Sequence, residues 1–483
     1  MNPTQSPIQS SFKVLVIGGS IAGLTLAHCL DRLNVDYTVL EKREEIAPQE
    51  GASIGILPHG GRILDQLGLF NEVARDAEPL VRSHVAFPDG FVFTDKLPGV
   101  VSERFGLPLI FLERQRLLEI LYQSLPDSSR ILVGKSVVSV DQERGGNGVS
   151  VQTQDGSTYN GNLVVGADGV HSLVRREMWR HAEAESPGLI TAEEKDGLKV
   201  NYITIFGIST SISALQPGEQ TASLHPGRSY LAFPDKGKES RVFWFLQVKL
   251  DREYAYSSTP RWSSADMEKT AERFADDHIW AGVRFGDLWK RRVGAGITNL
   301  EEHVFETWVL GRIVCIGDSM HKLAPNTGQG GNSAIEDAAA LANALKKALD
   351  TTSSNFSISP PNTILQPLLR SFNETRLSRM QSISKSARLV LRLHARETLL
   401  LRLLGRYILP YSGNLTADLY SKVVASGEEL TFLAPSAQAR VGAGWEEFHG
   451  KKGGLSRYLG LTIVVGVVVL GYGILGTGRS SLI

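Results

Sequence analysis

The stretch 13-KVLVIGGSIAGLTLAHCLDRLNVDYTVLE-41 decides the fold. Val14 to Ile17 is a short apolar, largely β-branched run and Gly18 to Gly23 a glycine-rich turn. Leu24 to Leu33 then has helical apolar spacing, and Tyr37 to Leu40 is a second strand ending at Glu41. Together they make a βαβ unit. The glycines permit a tight turn and let a pyrophosphate approach the positive N-terminus of the helix. Glu41 stands 18 residues after Gly23, near the spacing expected of an acid that accepts from an adenosine ribose 2′-OH. In the usual G-x-G-x-x-G fingerprint the middle glycine is here Ser20, flanked by Gly18 and Gly23, and serine is small enough for the same approach.

Around this unit the composition sets bounds. With 483 residues the chain exceeds the roughly 250–300 that one core serves, so two or more domains are expected. Lys+Arg and Asp+Glu both number 51, which gives no signal for nucleic acid. Two cysteines, Cys29 and Cys315, argue against a disulfide framework or a cysteine metal site and fit a reducing compartment. Residues 1–11 read as a polar, disordered leader with no secretory signal. At the other end, 458–478 is a run of 21 residues without a charge, about 30 Å long as a helix. Lys451, Lys452 and Arg457 precede it and only Arg479 follows. The expectation is a single-pass tail anchor with the body on the cytosolic side of the endoplasmic reticulum, leaving the sequons at Asn355, Asn373 and Asn414 unglycosylated.

Between the ends the chain carries further punctuation. Gly51 and Gly55 bracket a short extended piece before a helix that ends near Gly68, and Val85 to Phe93 alternates like inserted strands. Residues 111–125 form an amphipathic helix with Arg114 in its first turn, suited to a surface charge or a phosphate or ribityl contact. Leu163 to Val165 is a buried strand followed by the Gly166-Ala167-Asp168-Gly169 turn and a helix beginning near His171. From about 200 to 300 the period becomes that of antiparallel strands rich in Tyr, Phe and Trp. Tyr230 is the candidate whose hydroxyl would point into a cavity, with His225 and Tyr202 weaker.

The second decisive stretch is 312-RIVCIGDSMHKLAPNTGQGGNSAIEDAAALANAL-345. A buried strand ends at Gly317-Asp318, and Gly328-Gln329-Gly330-Gly331-Asn332 opens an alanine-rich helix. Asp318 can accept from ribityl hydroxyls, and the amides of Gly330, Gly331 and Asn332 at the helix N-terminus would stabilise negative charge. Residues 363–409 are helical and basic, which suits either a solvated cap or an anionic membrane surface.

Taken in order, the three glycine-bearing motifs resemble those of FAD-dependent monooxygenases with the para-hydroxybenzoate hydroxylase fold, over roughly residues 12–345. GGSIAGLTLAHCL, GASIGILPHGGRILDQLGLF and RVFWF are most similar to fungal epoxidases of meroterpenoid and indole-diterpene biosynthesis. The resemblance implies that Glu41 binds the FAD ribose, that Gly55 and Arg114 lie along the cofactor, that Asp318 and Gly331 hold the ribityl and flavin, and that Tyr230 is the nearest match to a catalytic tyrosine.

It also implies a mixed α/β architecture. A Rossmann-like FAD-binding domain would span 12–190 and 301–345 with a strand insertion near 80–110. An antiparallel substrate domain would span 191–300, a helical region 346–450, and a transmembrane helix 458–478. NADPH would serve as transient reductant, and one atom of O₂ would pass to a prenyl double bond that needs only a dry apolar cavity. The epoxide could then go to a membrane terpene cyclase. Two rival readings are an aromatic hydroxylase of the salicylate type, which benefits from a positioned base, and a non-catalytic protein that binds prenylated partners.

Overall fold

In the computed structural model, which describes residues 12–48, 51, 53–75, 77–143, 146, 148–236, 240–352 and 359–449, Lys13–Ile17 lies inside a six-stranded sheet. The leader, the 458–478 run and Asn355 lie outside the described residues. The sheet runs Val309–Leu310, Ile313–Cys315, Leu163–Gly166, Lys13–Ile17, Asp36–Leu40, Ile131–Leu132. All its pairings are parallel except that of Val309–Leu310 with Ile313–Cys315. Val14, Leu15 and Val16 are wholly buried, as expected of a parallel strand covered on both faces. The crossings are close. A Cβ on Gly23 would overlap the Gly18 carbonyl oxygen, and Gly18, at φ +109°, lies against the Ala167 carbonyl. Only glycine meets both demands.

The aromatic middle of the chain builds an eight-stranded sheet. Its long strands Lys199–Thr210, Arg241–Ala255 and Arg292–Val304 are antiparallel, and the last runs past the boundary expected at 300. Residues 82–95, expected as an insertion within the nucleotide-binding domain, join this sheet instead. Arg82–Ala86 pairs in parallel with Glu219–His225, and Val92–Asp95 pairs outside it. The Glu219–His225 strand would otherwise present an open ladder edge, and the insertion covers it. Alternation splits the sheet into two faces. Leu231, Phe233 and Phe243 point toward Leu57 and Phe111 of the nucleotide-binding side. Tyr230, Trp244 and Leu246 point the other way, onto Phe285 and Trp289.

Behind the first sheet, helix Gln329–Thr352 packs against helix Asn362–His394 through an ionic cluster in which Arg376, Glu336 and Asp337 are wholly buried. Arg376 donates to Glu336 at 2.8 Å and Asp337 at 2.7 Å, and Arg379 reaches Glu336 at 2.7 Å. Beyond helix Leu415–Ala425 the expected helical region gives way to turns and the short helices Ala439–Val441 and Gly444–Glu447, and side chains of earlier helices take up backbone carbonyls of the turns. Arg62 donates to Gly427 at 2.6 Å, Asn343 to Glu429 at 2.7 Å and Gln66 to Leu430 at 2.9 Å. Among the described residues no helix is long and apolar enough to cross a membrane.

Two stability predictions follow from these buried charges. Arg376→Met retains bulk but leaves Asp337 buried without its guanidinium and Glu336 with Arg379 alone, so unfolding free energy should fall by about 3–5 kcal/mol, read by chemical denaturation. His59, wholly buried and 3.1 Å from the Gln329 side-chain oxygen, is held down to about 4 by burial. Its folded pKa lies below its unfolded value. The stabilisation is therefore complete above about pH 6.5 and drains as pH falls toward 4, at about 1.4 kcal/mol per pH unit. His59→Gln should show a shallower loss over that window by about this slope.

Candidate cofactor and substrate site

The glycine turn ends at a carboxylate. Glu41, buried at the end of Asp36–Leu40, accepts from the Gly19 amide at 2.7 Å and the Arg43 amide at 3.0 Å. Arg114 opens helix Arg114–Gln123 and donates to the Ser20 hydroxyl at 2.8 Å, so it stands at the same turn. Gly55 lies on Ser53–Ile56, opposite Phe111 of Ile110–Glu113, and a Cβ there would press into the Phe111 ring at 2.8 Å. The structure therefore brings Gly18, Ser20, Gly23, Glu41 and Arg114 together at one end and sets Gly55 beside them.

Asp318 sits in the turn Gly317–Ser319, directly after the Ile313–Cys315 strand, and is half-buried. It accepts from Lys322. Burial pushes its carboxyl up, but the Lys322 ammonium, with His321 and Arg114 farther off, brings it below the ordinary value. The turn is held from beneath. Asp337 Oδ2 accepts from the Gly317 amide at 2.8 Å and lies 2.6 Å from His321 Nε2, while its Oδ1 accepts from Arg376. It is held from the side as well. Arg175 donates to the Ser319 and Val170 carbonyls, and the Ser319 hydroxyl donates to Gly166 at 2.9 Å. Asp168 caps the next helix, Leu173–Glu185, through Ser172 and the Leu173 amide at 2.7 Å.

Two helix N-termini converge here. A Cβ on Gly317 would touch Ala22 at 3.1 Å and Ala334 at 3.3 Å, so the starts of helices Ile21–Arg32 and Gln329–Thr352 flank the Asp318 turn. Both positive ends favour an anion. Gly330 and Gly331 differ in their surroundings. A Cβ on Gly330 meets nothing within 4 Å, whereas one on Gly331 would collide with Ile54. Asn332 clamps the two elements, accepting from Leu57 at 3.0 Å and donating to Gly55 and Gly328, both at 2.8 Å.

Buried Ser53 Oγ, Asn326 Oδ1 and Thr327 Oγ1, on the strand and loop that carry Gly55 and Gly328, have no hydrogen-bond partner among the described residues. An acid at the ribose end, paired helix N-termini and free polar atoms suit a bound flavin dinucleotide. Asp337, Arg175 and the side chain of Asn332 are the supporting groups that motif reading passes over, while His321 belongs to the Gly317-Asp318-Ser319-Met320-His321 motif itself. The adjacent acids Glu336 and Asp337 within an otherwise alanine- and leucine-rich helix are the visible signal for the first of these locks.

On the facing sheet, Phe111 stacks on Phe233 with ring centroids 3.8 Å apart and planes 11° from parallel. Ala417 and Val424 of helix Leu415–Ala425 close the same apolar cluster. Tyr230 does not face this region. Strand alternation with Leu231 and Phe233 turns it to the opposite face, where it contacts Phe285 and donates to Asp277. Burial, then the Asp277 carboxylate, pushes its pKa up. His225 joins the same network, 3.7 Å from Asp277, and Tyr202 donates to Glu397 at 3.0 Å. His171 is half exposed, stacked on Tyr256. A tyrosine that does pack against the facing cluster is Tyr420, with its hydroxyl 3.5 Å from the Thr327 carbonyl oxygen. Burial pushes it up, so it stays protonated.

Comparison with known proteins agrees with this geometry. The FAD binding domain family matches residues 11–357. The FAD-dependent monooxygenase cle3 of Aspergillus versicolor is 60% identical over 93% of this chain and 91% of its own. The FAD-dependent monooxygenase spyC of Aspergillus fumigatus is 59% identical over 90% of each. In fold, the chain is similar to Klebsiella pneumoniae HpxO complexed with FAD and uric acid, with a TM-score of 0.70 at 21% identity, covering 87% of this chain and 99% of that one.

The two glycines give a sharp test. Gly331→Ala should destabilise the apoprotein by about 1–3 kcal/mol through collision with Ile54. Gly330→Ala should leave the apoprotein's thermal midpoint unchanged and weaken FAD at least about tenfold, roughly 1.4 kcal/mol, measured by flavin fluorescence titration.

Proposed function

This chain belongs to the FAD binding domain family and is an FAD-dependent monooxygenase, and from that premise we propose that it uses NADPH and O₂ to epoxidise a prenyl double bond. The substrate on this reading is a meroterpenoid or indole-diterpene precursor. One observation carries the proposal: the apolar centre of the sheet face turned toward the flavin end carries no general base, and the buried carboxylate of Glu301, raised by burial, lies on the flanking strand Arg292–Val304, 3.5 Å from His171. On its four central strands the facing positions run Tyr202-Thr204-Phe206-Ile208, Gln220-Ala222-Leu224, Ser229-Leu231-Phe233 and Phe243-Phe245-Gln247-Lys249, with no carboxylate or imidazole among them. His394, near the Pro325 loop through Asn326 at 3.1 Å, is held down to about 4 by burial and is a weak base.

A phenol needs help losing its proton before it attacks an electrophilic oxygen. An isolated alkene is already nucleophilic and needs exclusion of water and a fixed approach. Phe111, Phe233 and their neighbours supply the dry wall. Glu41, Arg114, Asp318 and the two helix N-termini supply the grip on the dinucleotide. Tyr420 can donate a hydrogen bond and cannot take a proton. When bound, FAD supplies the activation of O₂ that no side chain provides. On the same reading, 458–478 tethers the body to the cytosolic face of the endoplasmic reticulum, and the epoxide passes to a membrane terpene cyclase.

The test is NADPH oxidation by detergent-solubilised protein with product mass, comparing a farnesylated or geranylgeranylated aromatic with the same head group lacking its chain. One added oxygen on the chain supports the proposal. Ring oxygenation, or turnover of the bare aromatic, would replace it with aromatic hydroxylation. Phe233→Ala should lower kcat/KM for the prenylated substrate by about 10- to 100-fold through lost stacking and apolar area. Tyr230→Phe should leave it within about twofold, costing only about 1 kcal/mol of stability.

A further inference from the structure

Between Thr398 and Tyr411 the chain exposes apolar side chains in a way that its own packing does not explain. Leu399 is 70% exposed, Leu403 47%, Tyr407 58% and Tyr411 77%, with Leu400 and Ile408 also open. Single exposed apolar residues are ordinary, but a contiguous run marks a contact surface. Helix Leu399–Leu403 and the π turn Leu404–Ile408 present this run, and Leu419 on the following helix Leu415–Ala425 is also half exposed. Only Leu401 and Gly405 point fully inward.

The flanks are basic. From 385 to 411 stand Lys385, Arg388, Arg392, Arg396, Arg402 and Arg406 against one acid, Glu397. Some of these are spoken for: Arg388 pairs with Glu302, Arg392 with Glu397 and Arg406 with Asp89. Arg402 is exposed and binds only a carbonyl among the contacts described, and Lys385 is exposed too. The face is also tied to the substrate region. Arg406 lies 3.5 Å over the Phe91 ring and Arg396 over Phe87, both in the apolar cluster beneath helix Leu415–Ala425.

We propose that the 399–411 segment dips into the headgroup layer of an anionic bilayer and sets the mouth of the substrate region at the membrane surface. A run this short cannot span a bilayer but can lie in its interface. Two tyrosines suit the boundary between headgroup and chain, and long basic side chains reach back to phosphate. A second copy of this chain fits less well, because a twofold contact would set Arg402 and its neighbours against their own equivalents. The charge-free 458–478 run in the same C-terminal part of the sequence supports the bilayer as occupant. The proposal deepens the prenyl-substrate reading but its test stands apart, since the detergent assay for oxygen insertion does not require the bilayer.

The native thiols Cys29 and Cys315 are buried, so a nitroxide can be placed on the full-length holoenzyme at Leu403→Cys, Tyr411→Cys or, should either fail to fold, Leu399→Cys. Val138→Cys and Val293→Cys, on exposed strands elsewhere, serve as controls. Flavin absorbance reports that each variant is folded. On vesicles of phosphatidylcholine and phosphatidylserine, labels at 403 and 411 should gain severalfold collision with oxygen and lose collision with a water-soluble nickel chelate, while the controls stay nickel-accessible. Replacing phosphatidylserine by phosphatidylcholine should reduce the effect. Nickel access retained at 403 and 411 in vesicle-bound protein would overturn the proposal. So would loss of access to both reagents, which would mean that the C-terminal segment or a second copy covers the face.

Discussion

The flavin end depends on one buried carboxylate. Asp337 carries no chemistry of its own, yet its two oxygens bind the Gly317 amide, His321 and Arg376 at once. Without it the Gly317–Ser319 turn would have no fixed floor, and Asp318 would swing with the turn. A carboxylate held at zero exposure survives only because a cation and several donors satisfy it. The cost of burying Arg376 and Asp337 is therefore offset by the geometry they impose, and the geometry serves the neighbouring residue. Arg175 repeats the logic from the side. It joins the turn after Leu163–Gly166 to the turn after Ile313–Cys315 through two backbone carbonyls.

Much of this was legible in the sequence where local chemistry and tertiary role coincide. The 13–41 stretch needs glycine at 23 for a contact made within itself, against the Gly18 carbonyl, so there pattern and structure are the same fact, while Gly18 also answers to the distant Ala167 carbonyl. Glu41 is similar: its spacing from Gly23 returns it to the turn it follows. Asp337 and Arg376 were not legible as partners, because 39 residues separate them and each belongs to a helix with its own amphipathic pattern. Arg376 stood among many arginines of 363–409, some solvated and some buried. Composition does not distinguish the two fates, since what decides them is which face of Asn362–His394 meets Glu336 and Asp337.

Tyr230 shows the opposite failure. The strand was readable and the residue type plausible, but a strand has two faces, and a one-residue choice of parity sends a side chain to the site or away from it. Nothing local sets that choice. It follows from Phe233 stacking on Phe111, a contact between segments 122 residues apart. The placement of 82–95 has the same origin, for a short alternating strand carries no mark of which sheet edge it will complete.

On the proposed reading the two apolar surfaces of the C-terminal region serve different ends, and that bears on access. Ala417 and Val424 face inward and complete the wall over the flavin end, whereas Leu399, Leu403 and Tyr411 face outward. Residues 399–425 thus carry an outward apolar face between Leu399 and Tyr411 and an inward one at Ala417 and Val424. A lipophilic chain entering from water would have to leave a micelle or bilayer first, at a cost of about 0.8 kcal/mol for each CH₂ exposed. A mouth that opens at the bilayer surface removes that step, because the chain passes from one apolar medium into another. The arginines that stack on Phe87 and Phe91 would then stand at the boundary where the apolar chain parts from its polar head, which is where a cation over an aromatic ring has both of its preferred neighbours.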